Sequence, residues 1–364
     1  MSTLNVNRIV DSSGGVLAPI SSVMRNRIIN GAMVIDQRNA GASVTINSST
    51  NTFAVDRFLG FGEPTDGVYT LQQSSVAPAG FTNSLLATVT TADSSIGASQ
   101  RYFVRQAIEG FNCADLLWGT ANAATVTLSF WVRSSLTGTF GGTFMNDSFD
   151  RAYPFTYTIS AANTWEQKSI TIAGDTTGTW LKTNGGGIYV FFSIGAGSSR
   201  LGTAGAWQTP ASPLFGATGQ TNIIATSGAT WAITGVQLEK GTQATGFEYR
   251  QYGQELALCQ RYFYKLGATG STTRLGVGHY EDSTAVRGAI PFPVTMRAIP
   301  TSTASGNLRF YTTAARTYTV GLDADSVQMG SWTGTTTTSG TAGQSGFIDT
   351  SGFTASFIQF SAEL

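Results

Sequence analysis

The stretch TVTLSFWVR, residues 125–133, places Val126, Leu128, Phe130 and Val132 on one side and Thr127, Ser129, Trp131 and Arg133 on the other. That period of two is the mark of an antiparallel strand with one buried face. Such a strand cannot cover its apolar side alone, so it commits the chain to at least one packed sheet. TWEQKSITI (164–172) alternates at Ile170 and Ile172, GIYVFFSIG (187–195) reads as a buried strand, and TWAITGVQLEKG (230–241) adds another. They are separated by turn clusters such as AGDTTG and KTNGGG, where Gly and Asn accept positive φ. No helix-length periodicity and no repeat of fixed period is visible. This points to an all-β chain built as a sandwich or jelly roll, and away from solenoids and propellers.

The length of 364 residues suggests two or three domains. Hydrophobic residues at 41%, with 22 Phe, suffice for a large core and argue against disorder. Lys+Arg and Asp+Glu are both 21, and charged residues make up only 12%. A phosphate-binding surface needs a basic excess, so nucleic acid is not the expected partner. The surface must instead be made of hydroxyls, amides and the 43 glycines. The start of the chain lacks a secretory signal pattern, and no stretch approaches the roughly 20 apolar residues of a membrane span. Cys113 and Cys259 lie far apart, which fits two unpaired thiols in a protein assembled in a cytosol.

Four segments follow. Residues 1–24 read as a small hairpin around DSSGG (11–15), an anchoring or docking segment that needs something to pack on. Residues 25–250 form the jelly-roll domain. Residues 251–261 carry the one helix-forming run, Glu255–Leu258 inside YGQELALCQRYFYK (252–265). It serves either as a short helical joint or as a capping helix of the first sandwich. Residues 262–364 form a second, smaller β-sandwich, with strands around Pro291, Pro293 and Pro300 that lie at edges or are interrupted.

Motifs for chemistry are sparse. His279 is the single histidine, which rules out HExxH zinc sites and histidine cages. GQSG (343–346) lacks the spacing of a nucleophile elbow. Paired carboxylates stand at Asp147/Asp150, Glu281/Asp282 and Asp323/Asp325, but turn and cap roles account for such residues. No catalytic residue, cofactor or metal site is expected. Aromatic rings remain, since a flat ring can stack on the apolar face of a sugar while neighbouring polar groups read its hydroxyls. The candidates for glycan contact are Trp332, Tyr311, Tyr318, His279 and Tyr280 in the distal part, and Trp207 in the turn-rich GAWQTP. Core or interface packing is the competing role for each.

Several blocks carry a resemblance. NRIINGAMVIDQRNAG (26–41), DLLWGTA (115–121), TLSFWVRSSLTGTF (127–140), YPFTYTISAANTWEQKSITIAGDTTGTW (153–180), ITGVQLEKGTQATGFEYR (233–250) and GQELALCQRYFYK (253–265) resemble bacteriophage tail-fibre and related virion structural proteins. In these a jelly roll similar to carbohydrate-binding modules precedes a variable C-terminal domain. The start, MSTLNVNRIVDSSGG, is similar to the N-termini of marine and cyanobacterial phage structural proteins. Residues 266–364 resemble the family through FPVTMRAIP (292–300) and the final SAEL.

The resemblance implies a non-enzymatic, homotrimeric virion part assembled in the host cytoplasm. It would dock to other tail proteins by its N-terminus and attach to bacterial surface polysaccharide, with no membrane insertion. The blocks name no sugar-binding residue, and holding subunits together is the competing role of the jelly roll to binding glycan. An architectural shaft, collar or head decoration without glycan binding is the alternative. A polysaccharide-degrading tailspike is a third reading.

Overall fold

The computed structural model describes residues 8–10, 16–19, 24–47, 49–63, 66–267, 273–305, 308–312, 315–324, 326–336, 339–350 and 356–364, with backbone alone at 8–10, 16–19, 315–320 and 323. The chain divides into two compact units, Met1–Arg250 and Gln251–Leu364. Near the start, β1 (Arg8–Val10) pairs antiparallel with β2 (Val16–Pro19); DSSGG between them lies outside the described residues.

The body of the first unit comprises β3 (Val44–Ile46), β4 (Thr52–Val55), β5 (Phe58–Phe61), β6 (Val68–Ser74), β7 (Ser84–Thr91), β8 (Arg101–Glu109) and β9 (Val126–Ser134). It continues through β10 (Gly138–Met145), β11 (Ala152–Ile159), β12 (Glu166–Ile172), β13 (Gly186–Ala196), the short β14 (Leu201–Gly202) and β15 (Gly216–Ala217), and β16 (Thr230–Lys240). One six-stranded sheet has the order β11-β10-β13-β8-β5-β4, the other β12-β9-β16-β7-β6-β3. From β7 to β10 the chain changes sheet at every step. It then makes the β10–β11 hairpin and alternates again through β12, β13 and β16. This interleaving of four inner strands per sheet is the jelly roll, with β3 to β6 extending one edge of each sheet.

The alternation in 125–133 is what the sandwich uses. Phe130 of β9 meets Phe192 of the opposite sheet with ring centroids 5.2 Å apart, and Tyr157 at 5.1 Å. Fully burying one such side chain contributes roughly 1.5–3 kcal/mol. Trp231 is also completely buried, and its Nε1 donates to the Tyr157 hydroxyl at 3.0 Å, so neither polar atom is stranded in the core.

Beyond β16 the chain doubles back as a strap, residues 242–250, held by side chains of β16. Glu239 Oε1 accepts from the Thr245 backbone N–H at 2.8 Å, and its Oε2 from the Thr245 hydroxyl at 2.7 Å. Gln237 Oε1 accepts from the Glu248 backbone N–H at 2.8 Å. Both side chains are buried, which these bonds compensate. Gly235, at φ +61° beside the bulge in β16, leaves room for Phe81; a Cβ there would lie 2.7 Å from that ring. Phe81 then packs against Phe247 and Tyr249 of the strap, edge to face with the first and tilted to the second, and those two meet edge to face. The strap closes on the segment that opens the unit. Asn26 N–H donates to Glu248 Oε2 at 2.8 Å, and the Arg250 guanidinium donates to the carbonyls of Asn26 and Ile28. The blocks ITGVQLEKGTQATGFEYR and NRIINGAMVIDQRNAG are thus the two halves of one clasp.

The second unit begins with α1 (Tyr252–Gln260), where the helix-forming run of Glu255–Leu258 lies. It has no side-chain N-cap, and its end is fixed within the unit: Arg297 N–H donates to Arg261 O at 2.8 Å, and Ala362 N–H to Tyr262 O at 2.8 Å. Then follow β17 (Phe263–Gly267), β18 (Arg274–Tyr280), β19 (Ala285–Pro291), β20 (Thr301–Ser305), β21 (Arg309–Tyr311), β22 (Ala315–Asp323), β23 (Met329–Thr336), β24 (Ser345–Asp349) and β25 (Phe357–Ser361).

The smaller second β unit is present, and its strands close on themselves. β18-β19-β23-β22-β21-β24 form a six-stranded antiparallel barrel, and β17-β25-β20 form a separate three-stranded sheet. Closure leaves the barrel without an edge, so the prolines sit at strand ends instead: Pro291 is the last residue of β19. Tyr280, Phe310, Trp332 and Ile348 fill the interior and are fully buried.

Candidate functional site

Three strands of the barrel carry a Gly between one apolar and one polar residue: Val277-Gly278-His279 in β18, Arg287-Gly288-Ala289 in β19 and Ser345-Gly346-Phe347 in β24. Antiparallel pairing puts the glycines in one row, with Gly278 opposite both Gly288 and Gly346. The same register sets Val277 opposite Ala289 and Phe347, and His279 opposite Arg287 and Ser345. Residues one step either side of the row point outward. The result is a furrow across three strands with a floor of bare backbone, an apolar bank and a polar bank. It encloses about 710 Å³. By strand geometry its banks stand roughly 7 Å apart and its floor runs roughly 10 Å.

The floor is flat because of what lies beneath it. Built Cβ atoms at Gly278 and Gly288 would each come within 2.3 Å of the Trp332 indole, and one at Gly346 within 2.6 Å of the Phe310 ring. The rings therefore occupy the space that three side chains would need inside the barrel. Any residue but glycine here must displace the core.

The apolar bank extends one strand further, because Tyr311 of β21 pairs with Phe347. Val277 is 61% exposed and Tyr311 38%, so the bank is open to solvent. Arg274 is also exposed, its guanidinium 4.3 Å from the centre of the Phe347 ring, a cation–π contact. On the polar bank, Arg287 Nε lies 2.5 Å from Glu281 Oε2. Behind Arg287 a second, smaller hollow of about 300 Å³ presents Thr333 and Thr335.

Of the residues singled out from the sequence, His279 and Tyr311 come together around this furrow. Trp332 and Tyr280 do not. Trp332 belongs to β23 rather than to a loop tip, and it is wholly inside the barrel. Tyr280 points inward, its ring 5.4 Å from Phe310 and its hydroxyl 3.4 Å from Thr336 Oγ1. Neither offers a ring face to a ligand, because each follows an outward residue on its strand. Tyr318 lies in β22, and its side chain is outside the described residues.

Trp207 belongs to the first unit, half-buried in a nest with Trp118, Trp180 and Tyr153 at centroid distances of 5.3 Å each. Its Nε1 donates to Ala173 O at 2.7 Å. Its ring edge and N–H are therefore committed to packing.

The acidic residues considered for catalysis have local partners. Tyr189 donates its hydroxyl to Asp147 Oδ1 at 2.9 Å. The Asn146 side chain holds the Asp150 carboxyl below its usual range. Asp282 Oδ1 accepts from the Ala285 and Thr284 backbone N–H groups at 2.7 Å each, which hold that carboxyl below its usual range too. Asp325 lies outside the described residues, as does the Asp323 side chain. Among the described residues no cluster of His, Cys, Asp and Glu is arranged for a metal ion, and no helix is long and apolar enough to cross a membrane.

No protein-family model and no curated protein matches the chain. Solved structures are similar at low identity. One is the enzymatically active domain of tailspike protein 4 of bacteriophage CBA120: 13% identity, TM-score 0.33, 60% of this chain and 22% of that one. The present chain therefore spans about a fifth of that structure's length. Another is the family 11 carbohydrate-binding module from Clostridium thermocellum in complex with a mixed-linked tetrasaccharide: 8% identity, TM-score 0.30, 56% of this chain and 98% of that one. Likenesses this distant carry no argument about what the present chain binds.

Proposed function

We propose that the chain is a tail-fibre-type virion protein of a bacteriophage, attaching to bacterial surface polysaccharide through the furrow of its second unit. The observation that carries this reading is the pairing of banks across a bare floor. A sugar ring has apolar CH faces and a rim of hydroxyls. Val277, Phe347 and Tyr311 suit the first, while His279, Arg287 and Ser345 suit the second. The family blocks along 26–265 support the virion setting. In this reading the first unit is framework, since the rings of Trp118, Trp180 and Trp207 are occupied with one another. The N-terminal hairpin joins other tail proteins, and three copies of the chain act together. Linked sites raise avidity by roughly 10²–10⁴ when geometry permits, which weak sugar contacts require. The furrow binds without cleaving.

The test is staining of a panel of bacterial strains by labelled full-length protein, before and after periodate oxidation of their surface glycans. Periodate-sensitive staining of particular strains, weakened by Tyr311→Ala and Val277→Asp, is the expected result. No staining of any strain, a confirmed host included, would refute attachment and leave the architectural role. Release of reducing ends from a stained polysaccharide would instead make the protein a tailspike enzyme.

A further inference from the structure

Resting on that reading of the furrow, we infer that its ligand is an acidic glycan, a polysaccharide bearing carboxylates, and that Arg287 is the residue that reads the charge. Arg287 stands on the wall shared by the main furrow and the hydroxyl-lined hollow behind it. A chain laid across the floor must pass its guanidinium. A carboxylate already rests there: Glu281 Oε2 lies on the Nε edge of Arg287 at 2.5 Å. Both side chains are about half exposed, 58% and 45%. An ion pair that open to water is weak and readily exchanged, so Glu281 acts as a placeholder for a carboxylate brought by the ligand.

A second cation stands on the other bank. Arg274 is exposed and lies over the Phe347 ring, where the ring's face keeps the guanidinium beside the furrow. Arg309, by contrast, donates from Nε and Nη2 to the two carboxylate oxygens of the buried Asp349 and serves the barrel. The other acid at this end, Asp282, is engaged with the turn it caps. The furrow thus has Arg287 in its polar bank, with His279 beside it, and Arg274 against Phe347 of its apolar bank. A neutral sugar would use the apolar bank and the hydroxyls but give neither guanidinium a new charged partner, leaving Arg287 with Glu281 and Arg274 with the Phe347 ring.

The experiment takes a strain that the full-length protein stains and converts its surface carboxylates to alcohols by carbodiimide activation and borohydride reduction, with a mock-treated control. Loss of staining on the reduced cells is the expected result. Arg287→Gln should weaken staining of untreated cells by about tenfold, the scale of one charge-assisted hydrogen bond. Glu281→Gln should strengthen it by roughly twofold to fivefold through removal of the competitor. Unchanged thermal melting of both variants separates binding from folding, and both residues are exposed enough for this control to hold. Staining that resists carboxyl reduction but is abolished by periodate would overturn the acidic ligand and leave glycan attachment standing. Insensitivity to both Arg287→Gln and Glu281→Gln would overturn the role given to Arg287. Absence of staining on every strain would refute attachment itself.

Discussion

The jelly roll and the barrel bury their strands with opposite stocks of side chains. The first unit fills the space between two six-stranded sheets with large rings, Phe130, Phe140, Phe144, Phe155 and Phe192 among them. The second closes six strands around a few rings and makes room for them by withholding side chains, at Gly278, Gly288 and Gly346. Most aromatics of the first unit are thus used in its core, Phe111 and Tyr249 being exposed exceptions, whereas in the second the omission of side chains both seats the core and sculpts the outer surface. A smaller body also buries a smaller fraction of its chain. The barrel is therefore expected to be the less stable partner and the one that carries the binding surface.

The sharpest break of this contrast is a deep truncation. Phe130→Ala should destabilise the first unit by about 3–5 kcal/mol and leave the second unit's transition in place. A calorimetric scan in which both transitions move together would deny the units their independence. Next is Gly288→Val. Its Cβ would lie 2.2 Å from the Val277 carbonyl and 2.3 Å from the indole, so the barrel should lose about 1–3 kcal/mol or more, with flattening of the furrow and loss of cell staining. A variant with unchanged melting would show that the indole can move.

Each unit also holds one buried thiol, Cys113 in the first and Cys259 in the second. Burial pushes the Cys113 thiol up to about 12, so alkylation of the native protein at pH 8 should be slow. As denaturant rises, Cys259 should be labelled before Cys113; the reverse order would invert the assigned stabilities.

The smallest effect is on the acid side. The Lys168 ammonium holds the Glu166 carboxyl below its usual range, helped by the Ala161 backbone N–H. Asp282 is held down by its turn. Carboxyls with depressed folded values give stability that is full above their unfolded values, about 4, and is lost as pH falls through the folded ones. Both units should soften modestly below that point, and Glu166→Gln should flatten the limb for the first unit alone.

Much of this arrangement was legible in the residues, and the limits have identifiable causes. Period-two alternation in 125–133 and 164–172 located strands β9 and β12, because each shows one face to the core and one away from it. Trp332 misled, since GSWTGTTTTSG has the composition of a loop. It is a strand because Gly278 and Gly288, more than forty positions earlier, leave the space its indole needs, and no local window contains that fact. Tyr280 misled by one step of register. The furrow itself did leave a trace: an apolar-Gly-polar triplet at 277–279 and its reversed counterparts at 287–289 and 345–347. The reversal is what antiparallel neighbours require, but without the pairing nothing in the sequence joins the three triplets into one row.

The clasp between the two ends of the first unit has a mechanical consequence. Asn26 and Ile28 are tied directly to Glu248 and Arg250, so the points where the chain comes in and goes out sit side by side. A pull applied between the segment before residue 25 and the segment after residue 250 falls on that set of hydrogen bonds together with those from residues 26–31 to β16 and β8. Part of the load also passes into β16 of the sandwich, because Asn26 and Arg27 are bonded to Val236 and Leu238. Glu248→Ala would leave the resting fold nearly unchanged yet lower the force at which the unit gives way in single-molecule stretching. Tension on such a chain gathers at one clasp, where both ends of the jelly roll are stitched together and to β16.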